Sequence, residues 1–209
     1  SSRATLERHA RVFKDGVAVA GRTRCAFAVK ANPNLAVLRV LARAGYGADI
    51  VSGGELARAL KAGMAPEAIV FSGVGKTPAE LVAGLDAGIG QFNLEHEQEG
   101  HALSALAAGR GQRVSATLRV NPDVDAGTHD KISTGKADNK FGVPIGEAAA
   151  MYARLAALPG LTMRGIACHI GSQLGTVEPL ETAYRKLGQL VAELRAASHV
   201  VDRVDLGGG

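Results

Sequence analysis

One lysine is placed where it could do covalent chemistry. Lys30 ends an apolar run that begins at Cys25, and a strand that ends in this way carries the ammonium group into a protein interior or a cleft. Desolvation there lowers the pKa of a lysine, and a neutral amine can attack an aldehyde to form a Schiff base. The alternative is a lysine whose side chain leaves the strand for water, and this is the commoner case for a lysine taken alone.

Two positions in the second half of the chain combine with this lysine. His169 ends an apolar run, and its ring could stack on a flat ligand while Ser172 in the following turn reaches a phosphate; a core histidine bonded to backbone is the alternative. The three glycines 207–209 follow a late strand and let backbone N–H groups converge on a phosphate, although a flexible turn fits them equally well. His169 has no second ligand at metal-binding spacing, so no metal site is predicted.

A buried cation and a long polar stretch complete the set of candidates. Arg119 ends another apolar strand, and a buried arginine needs an anion or several acceptors to offset its desolvation. Asp49 or a ligand oxygen could supply that anion, and a purely structural ion pair is the alternative. The polar stretch 127–136 could be a substrate lid or a solvated loop, and its length favours neither.

Together, the lysine after the first strand, the histidine after the sixth and the glycines after the seventh indicate a pyridoxal 5′-phosphate site. In such a site the lysine bonds to the aldehyde of the cofactor, the histidine packs on the pyridine ring and the glycine loop holds the phosphate. This combination is far more specific than any one of the three features.

Short apolar runs alternate with helix-patterned segments along the whole chain. The predicted strands are 25–30, 47–51, 68–72, 89–94, 114–120, 163–170 and 200–206. The predicted helices are 5–19, 35–44, 55–62, 78–87, 95–108, 147–157 and 179–197. This alternation indicates parallel strands joined by crossover helices.

The first four predicted strand ends recur at a constant spacing. Lys30, Val51, Ser72 and Asn93 are each 21 residues apart, and units of constant length favour a closed, symmetric barrel. After Asn93 the spacing lengthens through the insertion at 121–142. We predict an α/β fold in one domain, residues 1–209, namely a (β/α)8 TIM-type barrel with about seven strands present. An open doubly wound sheet is the alternative.

Alternation along the strands predicts which side chains face the barrel axis, and the strand ends carry the chemistry in barrel enzymes. The inward residues are predicted to be Ala26, Ala28 and Lys30 on the first strand, Ser115, Thr117 and Arg119 on the fifth, and Ala167 and His169 on the sixth.

Composition excludes several classes of protein. The net charge is +4, but the cations are scattered, whereas nucleic-acid binding needs them clustered. Cys25 and Cys168 lie in strand-like runs, which is typical of reduced thiols in a cytosolic protein. No apolar run is long enough for a membrane span, and no signal peptide opens the chain. We expect a soluble, cytoplasmic protein that binds neither nucleic acid nor a membrane.

Six segments of the sequence resemble the diaminopimelate decarboxylase family, which belongs to the fold-type III pyridoxal-phosphate enzymes with ornithine decarboxylase and alanine racemase. The matching segments are residues 28–33, 48–55, 71–77, 119–125, 169–173 and 205–209. The lysine, histidine and glycine motifs mark the wider group, and the stretch 128–142 is similar to the diaminopimelate branch in particular.

The resemblance implies a role for each matching residue. Lys30 would be the Schiff-base lysine and His169 the ring-stacking residue, and these two are the catalytic candidates. The other residues implied to bind pyridoxal 5′-phosphate are Asp49, Arg119, Ser172, Gly207, Gly208 and Gly209. The stretch 128–142 would be a mobile loop over the substrate, with Thr128, Lys131, Ser133, Thr134 and Asn139 as candidate contacts.

The implied reaction is the decarboxylation of meso-diaminopimelate to L-lysine and CO2, the last step of lysine biosynthesis. Members of the group continue to an eighth strand and a β-rich second domain, and a partner subunit completes their active site. We therefore expect residues 1–209 to be the barrel portion, truncated before closure, of a protein that is a homodimer at full length, with negligible turnover by the isolated fragment. The alternatives are a decarboxylase of another basic amino acid and a non-catalytic barrel that binds pyridoxal phosphate.

Overall fold

The computed structural model describes residues 2–124, 141–170 and 176–207. The chain clusters into two compact units, Ser1–Phe92 and Asn93–Gly209. Within each unit, parallel strands alternate with helices, as the spacing of the apolar runs predicts. The boundaries of the single predicted domain stay a prediction.

The first unit contains the strands and helices up to the middle of the fourth strand. They are α1 (Arg3–Ala18), β1 (Ala26–Ala28), α2 (Leu35–Arg43), β2 (Gly47–Ile50), α3 (Gly53–Lys61), β3 (Ile69–Phe71), α4 (Pro78–Ala87) and β4 (Gln91–Leu94). The predicted bounds of these helices lie within two residues of the observed ones.

The strands of the first unit pair in parallel in the order β1, β2, β3, β4, with a constant register. The Cα partners are 21 residues apart in every pair; thus Ala26 pairs with Gly47, and Gly47's neighbour Ala48 pairs with Ile69. The 21-residue period of the sequence is therefore the register of this sheet, which confirms that the repeating unit is one strand and one crossover helix.

Helix α4 shows how local sequence sets the bounds of an element. The side chain of Thr77 accepts a hydrogen bond from the backbone N–H of Glu80, and the Glu80 carboxylate accepts one from the N–H of Thr77. Pro78 stands at the first helical position, where its missing N–H costs nothing. Gly88 ends the helix with a φ of 67°, in the left-handed region that glycine adopts without strain.

The first strand is shorter than predicted, and this changes the setting of the lysine. β1 ends at Ala28, and Val29–Ala31 form a 3-10 turn in which the N–H of Asn32 donates to the carbonyl of Val29 at 3.1 Å. Val29 is fully buried, whereas Lys30 is exposed. β1 therefore ends two residues before Lys30, so the strand alternation predicted for Ala26, Ala28 and Lys30 does not extend to the lysine.

The second unit contains the remaining elements. They are α5 (Glu97–Ala108), β5 (Val114–Asn121), β6 (Val143–Pro144), α6 (Ile145–Ala156), β7 (Leu161–His169), α7 (Glu178–Ala196) and β8 (Arg203–Gly207). β7 pairs in parallel with both β5 and β8, and β6 is a short side strand on β5. β6 was not predicted, because a two-residue strand has no apolar period to detect.

A bulge adjusts the register between β5 and β7. Ala116 pairs with Met163, but the next residue, Thr117, pairs with Gly165, so that Arg164 is the extra residue on β7. Beyond the bulge Arg119 pairs with Ala167. The bulge therefore sets which residues of β7 stand beside the polar end of β5.

These elements confirm the predicted α/β class and the strand–helix alternation of an incomplete (β/α)8 barrel, with seven parallel strands in the described residues apart from β6. Among the described helices, none combines the length and the apolar character that crossing a membrane requires.

Candidate active site

Two predicted site residues lie at one end of the first unit. Ala28, the last residue of β1, pairs with Asp49 of β2, and Lys30 follows two residues later in the turn. Asp49 is half-buried and Lys30 is exposed. The parallel register therefore brings the lysine and the carboxylate to the same end of two neighbouring strands.

Carboxylates fix the turn that follows β2. The Glu55 side chain accepts a hydrogen bond from the N–H of Val51 at 2.8 Å, and the Glu80 side chain accepts one from the N–H of Gly53 at 2.9 Å. The N–H groups of Thr77 and then of Gly53 lower the pKa of the Glu80 carboxyl, since they bind its charged form. These bonds hold the start of α3 beside the end of β2.

In the second unit, Asn93 joins two other strands. Its Oδ1 accepts a short hydrogen bond from the hydroxyl of Thr117 on β5, and its Nδ2 donates to Oδ2 of Asp205 on β8 at 2.9 Å. Thr117 is fully buried and Asn93 nearly so. The pairing confirms that Thr117 lies on the predicted polar face of β5.

Two residues further along the chain, a buried ion pair links the residue that follows β4 to β5. Nη1 of Arg119 donates to Oε1 of Glu95 at 2.7 Å, and the two side chains are 15% and 1% exposed. The ring centroid of Phe141 lies 5.5 Å from Cζ of Arg119, a distance at which a cation attracts an aromatic face. The anion that a buried Arg119 requires is therefore supplied by Glu95.

Sequence reasoning missed Glu95 and placed it at the start of a helix. Helix α5 begins at Glu97 instead, after His96, whose Nδ1 accepts a hydrogen bond from the N–H of Glu99 at 3.2 Å. The spacing could have indicated Glu95, because alternate residues of an extended chain face the same side. Asn93 and Glu95 are two residues apart, as are their partners Thr117 and Arg119.

The histidine and the first glycine of the predicted phosphate loop stand side by side. His169 and Gly207 are Cα partners at the ends of β7 and β8. A Cβ atom on Gly207 would lie 3.2 Å from the carbonyl oxygen of Cys168 and 3.3 Å from Cδ2 of the His169 ring. Both contacts are tight, so the space beside the imidazole depends on residue 207 having no side chain.

Cys168 lies next to His169 on β7. It is buried, and desolvation raises the pKa of its thiol to about 11, against a smaller lowering effect of the Arg119 charge. Such a thiol is protonated at neutral pH and is a poor nucleophile.

Several predicted residues lie outside the described part of the chain. These are the phosphate-loop residues Ser172, Gly208 and Gly209 and the lid residues Thr128, Lys131, Ser133, Thr134 and Asn139. Within the described ranges, no group of three or more His, Cys, Asp or Glu side chains is arranged to hold a metal ion.

Comparison with known proteins decides the family. Residues 3–209 match the family model described as pyridoxal-dependent decarboxylase, pyridoxal binding domain. The chain belongs to this family. A diaminopimelate decarboxylase from Pseudomonas fluorescens is 51% identical over 209 residues, and the match covers 100% of this chain and 50% of that protein.

Two further relatives of this family agree. A diaminopimelate decarboxylase from Zymomonas mobilis is 49% identical over 189 residues, which are 90% of this chain and 45% of that protein. The crystal structure of diaminopimelate decarboxylase from Helicobacter pylori complexed with L-lysine is 36% identical, with a TM-score of 0.88 over 96% of this chain and 51% of that one. The chain thus spans about half the length of the curated relatives that it matches.

The geometry of the second unit fits the cofactor that defines the family. A planar ring that carries a phosphate needs a flat group to stack on and unobstructed backbone beside it. His169 and Gly207 provide these at adjacent strand ends, and a side chain at position 207 would crowd the imidazole. The residues present are therefore compatible with pyridoxal 5′-phosphate.

Proposed function

We propose that this chain is the barrel portion of an enzyme that decarboxylates meso-2,6-diaminopimelate to L-lysine and CO2 with pyridoxal 5′-phosphate. The observation that carries the cofactor site is the pairing of His169 with Gly207 at the ends of β7 and β8. The substrate is proposed from the relatives, since two proteins named diaminopimelate decarboxylase are 49% and 51% identical to this chain.

Each candidate residue has a proposed task toward the cofactor. Lys30 would hold it covalently through a Schiff base between Nζ and the aldehyde carbon, and its exposure leaves the amine accessible. The His169 imidazole would stack on the ring. Ser172 and the glycines 207–209 would donate hydrogen bonds to the phosphate oxygens. When bound, pyridoxal 5′-phosphate supplies the electron-accepting ring that decarboxylation requires.

Two charged residues would complete the surroundings of the cofactor. The half-buried carboxylate of Asp49 stands beside the end of β1, and the guanidinium of Arg119 keeps N–H donors beyond the one bonded to Glu95. We also propose that residues 128–142 cover the substrate, with Thr128, Lys131, Ser133, Thr134 and Asn139 as contacts.

Assembly and location are further parts of the proposal. The full-length protein would be a homodimer in which the partner subunit completes the active site. It would work in the cytoplasm; the two cysteines are buried free thiols, which suits a reducing compartment.

The test uses the full-length protein. Purified enzyme is expected to release CO2 and L-lysine from meso-diaminopimelate, and to show visible absorbance from bound pyridoxal 5′-phosphate. Lys30→Ala is expected to lose both that absorbance and at least 10³-fold in turnover, because no other group provides the covalent attachment. Faster release of CO2 from ornithine, arginine or lysine would overturn the substrate, and cofactor absorbance without any decarboxylation would indicate a non-catalytic barrel.

A second experiment concerns the isolated residues 1–209. We expect this fragment to have negligible turnover, since a partner subunit and further segments are proposed to complete the site. Lysine production by the purified fragment at more than a few per cent of the full-length rate would contradict this expectation.

A further inference from the structure

We propose that Glu95 is the positioning residue of this site, because it fixes the guanidinium of Arg119 in the orientation with which that arginine binds an anionic oxygen of pyridoxal 5′-phosphate. The inference rests on the proposed function, in which Arg119 lies beside the cofactor. Glu95 itself is not a catalytic residue, since it acts through the arginine.

The first argument is the burial of the pair. The carboxylate of Glu95 is 1% exposed and the guanidinium side chain of Arg119 15%, and Oε1 and Nη1 are 2.7 Å apart. A charge removed from water to this extent needs its partner, and a bond of this length is charge-assisted. The long arginine side chain therefore has one favoured position on this face of β5.

The second argument is that Glu95 is itself held in place. Its backbone N–H donates to Oε2 of Glu99 at 2.8 Å, and Glu99 is buried in the first turn of α5. Two residues earlier, Asn93 and Thr117 link the same two strands. The backbone that carries the Glu95 carboxylate is thus held by Glu99 on one side and by the hydrogen bond between Asn93 and Thr117 on the other.

The third argument is the number of donors that remain. The bond to Glu95 uses one N–H of Nη1, while a guanidinium has five N–H donors in a rigid fork. One edge of the fork is therefore oriented by the protein, and the other donors serve a ligand. A glutamate that only neutralised the charge of Arg119 would leave the direction of these remaining donors unfixed.

A second ion pair on the same segment provides a matched control. Arg154 and Glu97 also approach to 2.7 Å, but these side chains are 54% and 26% exposed. Glu97 stands two residues after Glu95 in the sequence, on helix α5. A substitution of Glu97 therefore breaks a carboxylate–arginine bond of the same length, but one between side chains that are more exposed to solvent.

The experiment measures the Kd of pyridoxal 5′-phosphate for the full-length apoenzyme by visible absorbance. Glu95→Gln keeps the reach and an acceptor but removes the charge, whereas Glu95→Asp keeps the charge and shortens the side chain by one methylene. We expect Asp to raise the Kd at least tenfold, because its carboxylate no longer reaches Nη1, and Gln to raise it by a smaller factor, because its amide oxygen still accepts from Nη1 although the charge is lost. Arg119→Ala is expected to raise the Kd at least tenfold, with no further loss when Glu95→Asp is added, since coupled residues are not additive.

The outcomes separate the inference from the proposed function. A Kd unchanged by Glu95→Asp but raised by Arg119→Ala overturns the positioning role alone, and so does an equal loss with Gln and Asp. Absence of cofactor binding by the unmodified protein overturns the proposed function. Glu97→Ala is expected to leave the Kd within about twofold. If circular dichroism shows that Glu95→Asp does not fold, the Kd values of Glu95→Asn and Glu95→Gln are compared instead. These two side chains also differ by one methylene, and neither carries a charge.

Discussion

The amide of Asn93 on β4 donates a 2.9 Å hydrogen bond to the carboxylate of Asp205 on β8, although β5 and β7 lie between these strands in the sheet. On β7 the residues beside β8 at this level are Gly165 and Ala167, which present little or no side chain. Because a carboxylate only accepts, the orientation of the amide is fixed, and its oxygen faces the hydroxyl of Thr117.

This relationship predicts the effect of Asn93→Asp. The substitution removes the donor and places a second carboxylate against Asp205, so we expect the free energy of unfolding to fall by about 2–4 kcal/mol at pH 7. Urea unfolding of the full-length protein measures it. Gln98→Glu makes the same amide-to-carboxylate change at an exposed position of α5 and is expected to change stability by less than about 0.5 kcal/mol. Equal urea midpoints for both variants would contradict the role of Asn93.

Most of the fold could be predicted because strands and helices differ in period. The predicted helices are within two residues of the observed ones, and the 21-residue period is the register of the first unit. β6 could not be predicted, because two residues show no apolar period; a Cβ atom on Gly142, just before this strand, would lie 2.9 Å from the carbonyl oxygen of Arg119 on β5. Contacts of this kind are not visible in a local pattern.

The candidate site could be predicted in part for the same reason. Strand parity placed Thr117 and Arg119 on one face, and the structure confirms it through their bonds to Asn93 and Glu95. Parity does not apply at Lys30, since the 3-10 turn at Val29–Ala31 ends the strand first. Glu95 was missed because glutamate is a good helix former, and its burial depends on a partner 24 residues away.

Gly207 is expected to tolerate no side chain without loss of cofactor. In Gly207→Ala the new Cβ would lie 3.3 Å from the ring of His169 and must displace it or the backbone of Cys168. We expect the affinity for pyridoxal 5′-phosphate to fall at least tenfold in the full-length protein, measured by absorbance. Gly188→Ala on α7 meets nothing within 4 Å, so it is expected to leave the affinity unchanged and to stabilise the protein by up to about 1 kcal/mol. Equal affinity of both variants would contradict the proposed role of Gly207 in the cofactor site.

Glu80 is expected to stabilise the first unit in a pH-dependent way. Its folded pKa is lowered, mainly by the N–H of Thr77, so its contribution is present above the unfolded pKa and is lost as the pH falls through the folded one. We expect Glu80→Ala to cost about 1–2 kcal/mol at pH 7 and less near pH 3, from urea unfolding at both values. Glu67→Ala, at an exposed carboxylate, should cost less than about 0.5 kcal/mol. If the loss of unfolding free energy in Glu80→Ala is as large at pH 3 as at pH 7, the ionised carboxylate of Glu80 does not stabilise the start of α4.

Phe141 is expected to be coupled to Arg119. Its ring centroid lies 5.5 Å from the guanidinium carbon of Arg119, whose side chain is 15% exposed, while Phe141 itself is 48% exposed. A double-mutant cycle of Phe141→Ala and Arg119→Ala, read by urea unfolding, should give a coupling energy of about 0.5–1 kcal/mol. Val200→Ala, at another exposed apolar residue, serves as the control and should be additive with Arg119→Ala. Additivity of Phe141→Ala with Arg119→Ala would rule out the contact.

Cys168 is expected to make the protein less stable in alkali. Burial raises the pKa of its thiol to about 11 from the usual 9.0, so the unfolded chain releases this proton first as the pH rises. Stability is therefore intact below pH 9 and falls between pH 9 and 11, by about 2–3 kcal/mol at roughly 1.4 kcal/mol per pKa unit. Tyr152, whose pKa is raised to about 12, lowers the stability further above pH 10. This effect is the same in the unmodified protein and in Cys168→Ala, so it cancels in their comparison. Urea unfolding from pH 8 to 11 should thus show a flatter decline for Cys168→Ala than for the unmodified protein, and parallel declines would show that the thiol ionises equally in both states.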